Sequence, residues 1–218
     1  MLDARRARDR MVDAQIARRG VKDQFVLEAM RSVPREKFVA ADFEEFAYDD
    51  APLPIGEGQT ISQPYVVALM IEAAALEPAD TVLEVGAGSG YVAAVMSRIA
   101  RKVHAIERHE ALGKTAMKRL AELGYDNIEL KVADGTGGWP QAAPFDAIVV
   151  SAGAPSVPPA LKEQLEIGGR LVIPVGAEQR SQRLTRITRL SATRFEEEDL
   201  GGVAFVPLIG EAGWAAQS

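Results

Sequence analysis

The chain has 218 residues, 47% of them hydrophobic and 26% charged, with no cysteine and a formal net charge of −6. That length supports a buried core without staples, and the missing thiols exclude disulfides, thiolate nucleophiles and cysteine-held zinc. The acidic balance disfavours nucleic acid as a partner; with no window near the roughly eighteen apolar residues of a membrane span and no secretory leader, a soluble cytoplasmic protein is expected.

Residues 1–47 are predicted helical, because Met11 and Ile16, then Phe25, Val26 and Met30, recur at helical spacing, with a break at Gly20. Pro34 in "SVPREKF" disfavours helix at Val33 and predicts a turn. Residues 51–63 are expected to be a Pro/Gly-rich loop, and a helix over 64–76 starts at Pro64. From Pro78 the pattern becomes strand and helix in alternation. The predicted strands are 81–85 ("TVLEV"), 102–107 ("KVHAIE"), 127–132 ("NIELKV"), 145–151 ("FDAIVVS") and 169–175 ("GRLVIPV"). Helices are expected after the first strand ("YVAAVMSRIA"), over 109–123, where Leu112, Ala116, Leu120 and Leu123 share a face, and over 157–166. Alternation with near-continuous apolar runs indicates a mostly parallel sheet covered on both faces. After 175 the texture changes to alternating polar and apolar residues. It predicts two antiparallel strands, 182–190 and one approaching "GVAFVPLI" (202–209), with the acidic "FEEEDL" as a solvated turn between them. The fold class is therefore α/β and Rossmann-like, one domain with helices and a loop over 1–77, a core over 78–176 and antiparallel strands with a tail over 177–218.

"LEVGAGSGY" places Gly86, Gly88 and Gly90 between the first strand and a helix, where an open α/β sheet binds its ligands. Alone, such a turn is also a tight strand-to-helix connection. Glu107 ends the next strand about twenty residues on, the position of a ribose-binding acid, and Asp134-Gly135 follows the third strand. A nucleoside-containing cofactor explains the three features together. Glu84, two residues before the first glycine, suits a cofactor with an ammonium group better than a pyrophosphate. S-adenosylmethionine has an ammonium group and a ribose and lacks phosphate.

The segments "PREKF", "LPIGEGQTISQPY", "VLEVGAGSGY", "PFDAIVVSAGAPSVPPAL", "QLEIGGRLVIPVG" and "FVPL" occur in order, and over about 11–209 the chain resembles the protein-L-isoaspartate O-methyltransferases. The resemblance implies a Rossmann-like enzyme that moves the methyl group of S-adenosylmethionine to the free carboxylate of L-isoaspartyl residues in damaged proteins and peptides. The ester then closes to a succinimide unaided. By the same resemblance Ser62 is the active-site serine, Ile61, Glu84, Gly86, Gly88, Gly90, Glu107, Asp134 and Gly135 contact the cofactor, and Thr60, Ser62 and Val206 contact substrate. After "FVPL" the chain continues "IGEAGW", a departure that leaves contacts beyond Leu208 unassigned. A monomer acting on isoaspartyl proteins, without metal, nucleic acid or membrane, is the implied arrangement.

The residue types suit that chemistry. A carboxylate with a reference pKa near 4 is ionised at neutral pH and needs no general base, so the task is to hold its oxygen in line with the methyl group. A serine hydroxyl can bind one carboxylate oxygen and leave the other to attack. Ser62 has a plainer role too, as a helix cap ahead of Pro64, with Thr60 and Gln63 at capping-box spacing. Tyr65 and Trp139 are expected to pack. The alternatives are a methyltransferase of another acceptor, a dehydrogenase, or a cofactor-binding protein without turnover. Cytosine C5 methylation would need a thiolate, and "SAGAPSVPP" stands where amino-group methylation would place an Asn/Asp-Pro-Pro-aromatic motif.

Overall fold

The computed structural model describes residues 4–179 and 181–216. Helix α1 (Ala4–Arg10) continues into a π-helical turn (Met11–Ile16) and a 3-10 turn that ends at Gly20, as the sequence predicts. Helix α2 (Gln24–Ser32) is capped by Asp23, whose carboxylate accepts from the N–H groups of Phe25 and Val26. Val26 and Met30 are buried, whereas Phe25 is half exposed. Two 3-10 turns, Arg35–Phe38 and Ala41–Phe46, follow Pro34.

The expected loop over 51–63 is a small hairpin. Strand β1 (Leu53–Gly56) pairs antiparallel with β2 (Gln59–Ile61). Strands of four and three residues around Pro54, Gly56 and Gly58 are too short for periodicity to reveal. Helix α3 (Pro64–Ala74) begins at Pro64.

The core alternates as predicted: β3 (Thr81–Val85), α4 (Tyr91–Met96), β4 (Lys102–Glu107), α5 (Glu110–Glu122), β5 (Ile128–Val132), β6 (Phe145–Val150), α6 (Pro159–Glu163) and β7 (Leu165–Glu178). Helix α6 is shorter than expected because the chain enters β7 at Leu165. Strands β8 (Ser181–Arg189) and β9 (Phe195–Val203) complete a seven-stranded sheet of order β5-β4-β3-β6-β7-β8-β9. The first five are parallel, and β8 and β9 are antiparallel. "FEEEDL" is the first part of β9 and not a turn. Its exposed acids face arginines across the pair: Arg183 meets Asp199 at 2.6 Å, and Arg186 meets Glu198. A charged edge strand resists pairing with other chains, and it hides the apolar alternation that announces a strand.

Alternate residues of β3 serve opposite faces. Val82 packs with α3, α4 and the N-terminal helices, and Leu83 and Val85 pack with Leu161 of α6. Strand order reverses at β3, which lies between β4 and β6. The carboxyl end of that strand opens a crevice, and the glycine turn follows it directly.

Candidate functional site

The β1–β2 hairpin carries residues 60–62 to the glycine turn. Thr60, Ile61 and Ser62 line an inner cavity of about 30 Å³ together with Glu84, Gly86 and Gly88. Thr60 and Ser62 also border an outer cavity of about 680 Å³, whose walls include Gln182, Val203 and Val206. A side cavity of about 80 Å³ is lined by Gly86, Gly88, Glu107, Gly135 and residues 206–209. Thr60 and Ser151 border all three spaces, which therefore adjoin one another.

The glycine turn is shaped by backbone. Gly86 and Gly88 have φ of 86° and 53°, in the left-handed region where a Cβ is strained. A Cβ on Gly88 would also stand 3.0 Å from the Ile55 methyl, because the hairpin roofs the turn. Gly90 lines none of the three cavities. It is the N-cap of α4 and packs toward Leu120.

Glu84 is 1% exposed. One carboxylate oxygen accepts a 3.3 Å hydrogen bond from the Ser151 hydroxyl, and the other has no partner. Burial pushes this carboxyl up to about 8; the Glu107 charge adds to the shift, while Ser151 and the backbone at Ala93 oppose it. An unpaired buried acceptor in the inner cavity is the environment that an ammonium group would complete. Glu107 is held differently. Its two oxygens accept 2.8 Å bonds from the N–H groups of Gly88 and His109. Each keeps a further lone pair for hydroxyl donors in the side cavity.

The Asp134 side chain lies outside the cavity linings. One of its oxygens accepts from the N–H and hydroxyl of Thr136, and the other accepts from the Glu211 N–H at 2.8 Å. Burial raises its pKa, but these bonds from Glu211 and Thr136, with the Arg108 charge, outweigh it and hold the carboxyl below its ordinary value. Its role in the structure is to tie down the segment after Leu208.

The expected capping box does not form. Thr60 lies in β2, and the N-cap of α3 is Gln63, which makes no side-chain capping bond. Asp50 substitutes from a distance: it accepts from the Tyr65 N–H at 3.2 Å and from the Gln63 amide at 2.7 Å. Ser62 is thereby left facing the cavities. Tyr65 lies under the Arg19 guanidinium, 3.5 Å from ring centroid to Cζ, and Trp139 packs edge-on against His104 at 5.0 Å.

A pocket shared by an acid-bearing glycine turn and a serine-bearing hairpin narrows the comparison with known proteins. The family described as protein-L-isoaspartate(D-aspartate) O-methyltransferase matches residues 6–213. The chain belongs to that family. It is 57% identical over 204 residues to the protein-L-isoaspartate O-methyltransferase of Rhodopseudomonas palustris, covering 94% of each chain. It is 54% identical over 214 residues to the enzyme of that name from Brucella anthropi, covering 98% of each. A solved protein-L-isoaspartate O-methyltransferase superposes with TM-score 0.86 at 29% identity, over 94% of this chain and 67% of that one. A Plasmodium falciparum structure described as the same enzyme in complex with S-adenosyl-L-homocysteine superposes with TM-score 0.80 at 27% identity, over 93% and 98%. The Rossmann-like methyltransferase fold, its helical N-terminus and its C-terminal strands agree with these relatives.

Within the family frame, three contributors to the site escape a reading of motifs. Ser151, the last residue of "FDAIVVS", is the partner of Glu84. Its position at the carboxyl end of a central strand is the signal that could have found it. Gln182 is buried and brackets Phe205, accepting from its N–H at 2.8 Å, which fixes the far wall of the outer cavity. Arg35, in "PREKF", donates to the Ser62 carbonyl at 2.9 Å.

Proposed function

We propose that this chain transfers a methyl group from S-adenosylmethionine to the free carboxylate of L-isoaspartyl residues in damaged proteins and peptides, and that Ser62 positions the acceptor. What carries this is the inner cavity, where Ser62 shares walls with Glu84 and Gly86. When bound, the cofactor supplies an electrophilic methyl group on a sulfonium. The unpaired Glu84 oxygen fits its ammonium group, Glu107 its ribose hydroxyls, and Gly86 and Gly88 let the backbone approach.

The acceptor side is the outer cavity, roomy enough for a peptide segment and bordered by Thr60, Ser62 and Val206. The Ser62 hydroxyl donates to one carboxylate oxygen and leaves the other free to attack. Because the acceptor is already an anion, Ser62 takes no proton, and neither histidine is needed as a base. The proposal includes a monomer in the cytoplasm that acts on isoaspartyl-containing proteins and peptides. Sedimentation should then give one species near 23.4 kDa.

Ser62→Ala tests the assignment. A hydrogen bond to a charged group contributes about 1.5–3 kcal/mol, so turnover should fall roughly 10- to 100-fold while S-adenosylhomocysteine affinity stays within about twofold. Unchanged turnover would remove Ser62 from the site.

A further inference from the structure

Arg35 is a fully buried arginine, and its hydrogen bonds go to backbone carbonyls. Nε donates to Ala47 O at 2.8 Å, and Nη2 donates to Ser62 O at 2.9 Å. The guanidinium carbon sits 4.8 Å from the centroid of Tyr91, the first residue of α4 behind the glycine turn and a lining residue of the inner cavity. Taking a guanidinium out of water is costly; the two carbonyls, the Tyr91 side chain and the nearby Asp50 charge return part of that cost, and Nη1 is left without a hydrogen-bond partner. A methionine or leucine would fill the same space. What the arginine adds is a planar fork whose donors have fixed separation and direction.

That fork spans the three chain segments whose relative placement decides whether Ser62 faces the methyl donor. These are the end of the 41–46 turn at Ala47, the end of β2 at Ser62, and the start of α4 at Tyr91. Next to Ser62, Asp50 holds Gln63 and the Tyr65 N–H, so the serine is gripped at its own carbonyl and at the following residues. Its hydroxyl is the part left to meet a guest.

We infer that Arg35 is a positioning residue for methyl transfer, which sets the direction of the Ser62 hydroxyl by holding its carbonyl against the base of the glycine turn. This rests on the methyl-transfer assignment above. A residue that acts through aim should change turnover more than binding, since a small misplacement of a reacting group costs rate steeply.

The test uses the full chain with Arg35→Lys, which keeps charge and most of the apolar volume but loses the fork, and Arg35→Met, which loses both donors. Turnover of an isoaspartyl peptide is normalised to sites titrated with S-adenosylhomocysteine, so that unfolded protein does not count. Arg35→Lys should lose roughly tenfold or more in kcat per titrated site, and Arg35→Met more, with peptide KM and S-adenosylhomocysteine affinity within about threefold of wild type. In a Ser62→Ala background, Arg35→Lys should cost almost nothing further, because both changes remove the same aim. Equal kcat per site in wild type and Arg35→Lys, or a loss that multiplies fully with Ser62→Ala, would make Arg35 a stability residue only and overturn the inference. A wild-type chain that leaves isoaspartyl peptide unlabelled would instead overturn the methyl-transfer assignment, and the inference with it.

Discussion

Glu84 joins stability and function in one carboxyl. An ordinary glutamate ionises near 4.5, whereas the folded Glu84 keeps its proton to about 8. Between those values the folded chain binds the extra proton, so this group's contribution is fullest below about 4.5 and is lost as pH rises through 8. Glu84→Gln keeps a hydrogen-bonding group beside Ser151 and removes the titration. In denaturant unfolding the variant's advantage over wild type should grow from pH 5 to pH 8 by a few kcal/mol, on the order of 3. Calorimetry on the same variant should show S-adenosylhomocysteine affinity down about tenfold or more, because an ammonium beside Glu84 favours its ionised form and pairs with it, whereas an amide cannot ionise. A stability difference that does not vary with pH would show that the folded carboxyl is not raised. Glu84 and Glu107 were legible in the sequence because a strand end fixes where its neighbouring side chain goes. Arg35 and Asp50 were not, since each acts on backbone far along the chain, and no local pattern encodes such a contact.

Two elements, the hairpin and the C-terminal segment, build the walls around the sheet's crevice. The segment after Leu208, whose role the motifs left open, folds back. The Trp214 N–H donates to Leu208 O at 2.7 Å and its indole N–H to Gly153 O at 3.0 Å, while Glu211 and Ala212 bond to Asp134 and Thr136. Residues 206–209, which lead into it, line the side cavity. Gly210 passes so close to the Asp134 carboxylate that a Cβ there would overlap it. Gly210→Ala should therefore displace this wall. S-adenosylhomocysteine affinity should fall roughly 3- to 30-fold by calorimetry, with a change in the emission of Trp214, one of the chain's two tryptophans, and a midpoint of unfolding lowered by only a few degrees. Unchanged affinity would separate the tail from the cofactor wall. Helices and central strands were readable because long apolar periodicities mark them. The hairpin and the first part of β9 were missed for physical reasons: one is too short to show a period, and the other exposes charge where alternation was sought.

At the scale of the whole molecule, the order of the parallel strands reverses at β3, and that switch brings together segments far apart in the chain. Residues 60–62 arrive from one side, the glycine turn from beneath, Ser151 from β6 and Val206 from beyond β9. Strand alternation and the order of the motifs announced the Rossmann-like core. Two antiparallel strands closing one sheet edge were legible as well, but not that this edge lies beyond β7 and carries Gln182 to the outer cavity. A crevice of this composition is suited to an anionic acceptor opposite a sulfonium, and the isoaspartyl side branch presents its carboxylate one methylene away from where normal aspartate does. The most direct test offers the intact chain two peptides that differ only in one residue, L-isoaspartyl or L-aspartyl, with radiolabelled S-adenosylmethionine. Incorporation should be strong with the isoaspartyl peptide and at background with its twin; equal labelling of both, or labelling of neither, would contradict the assignment.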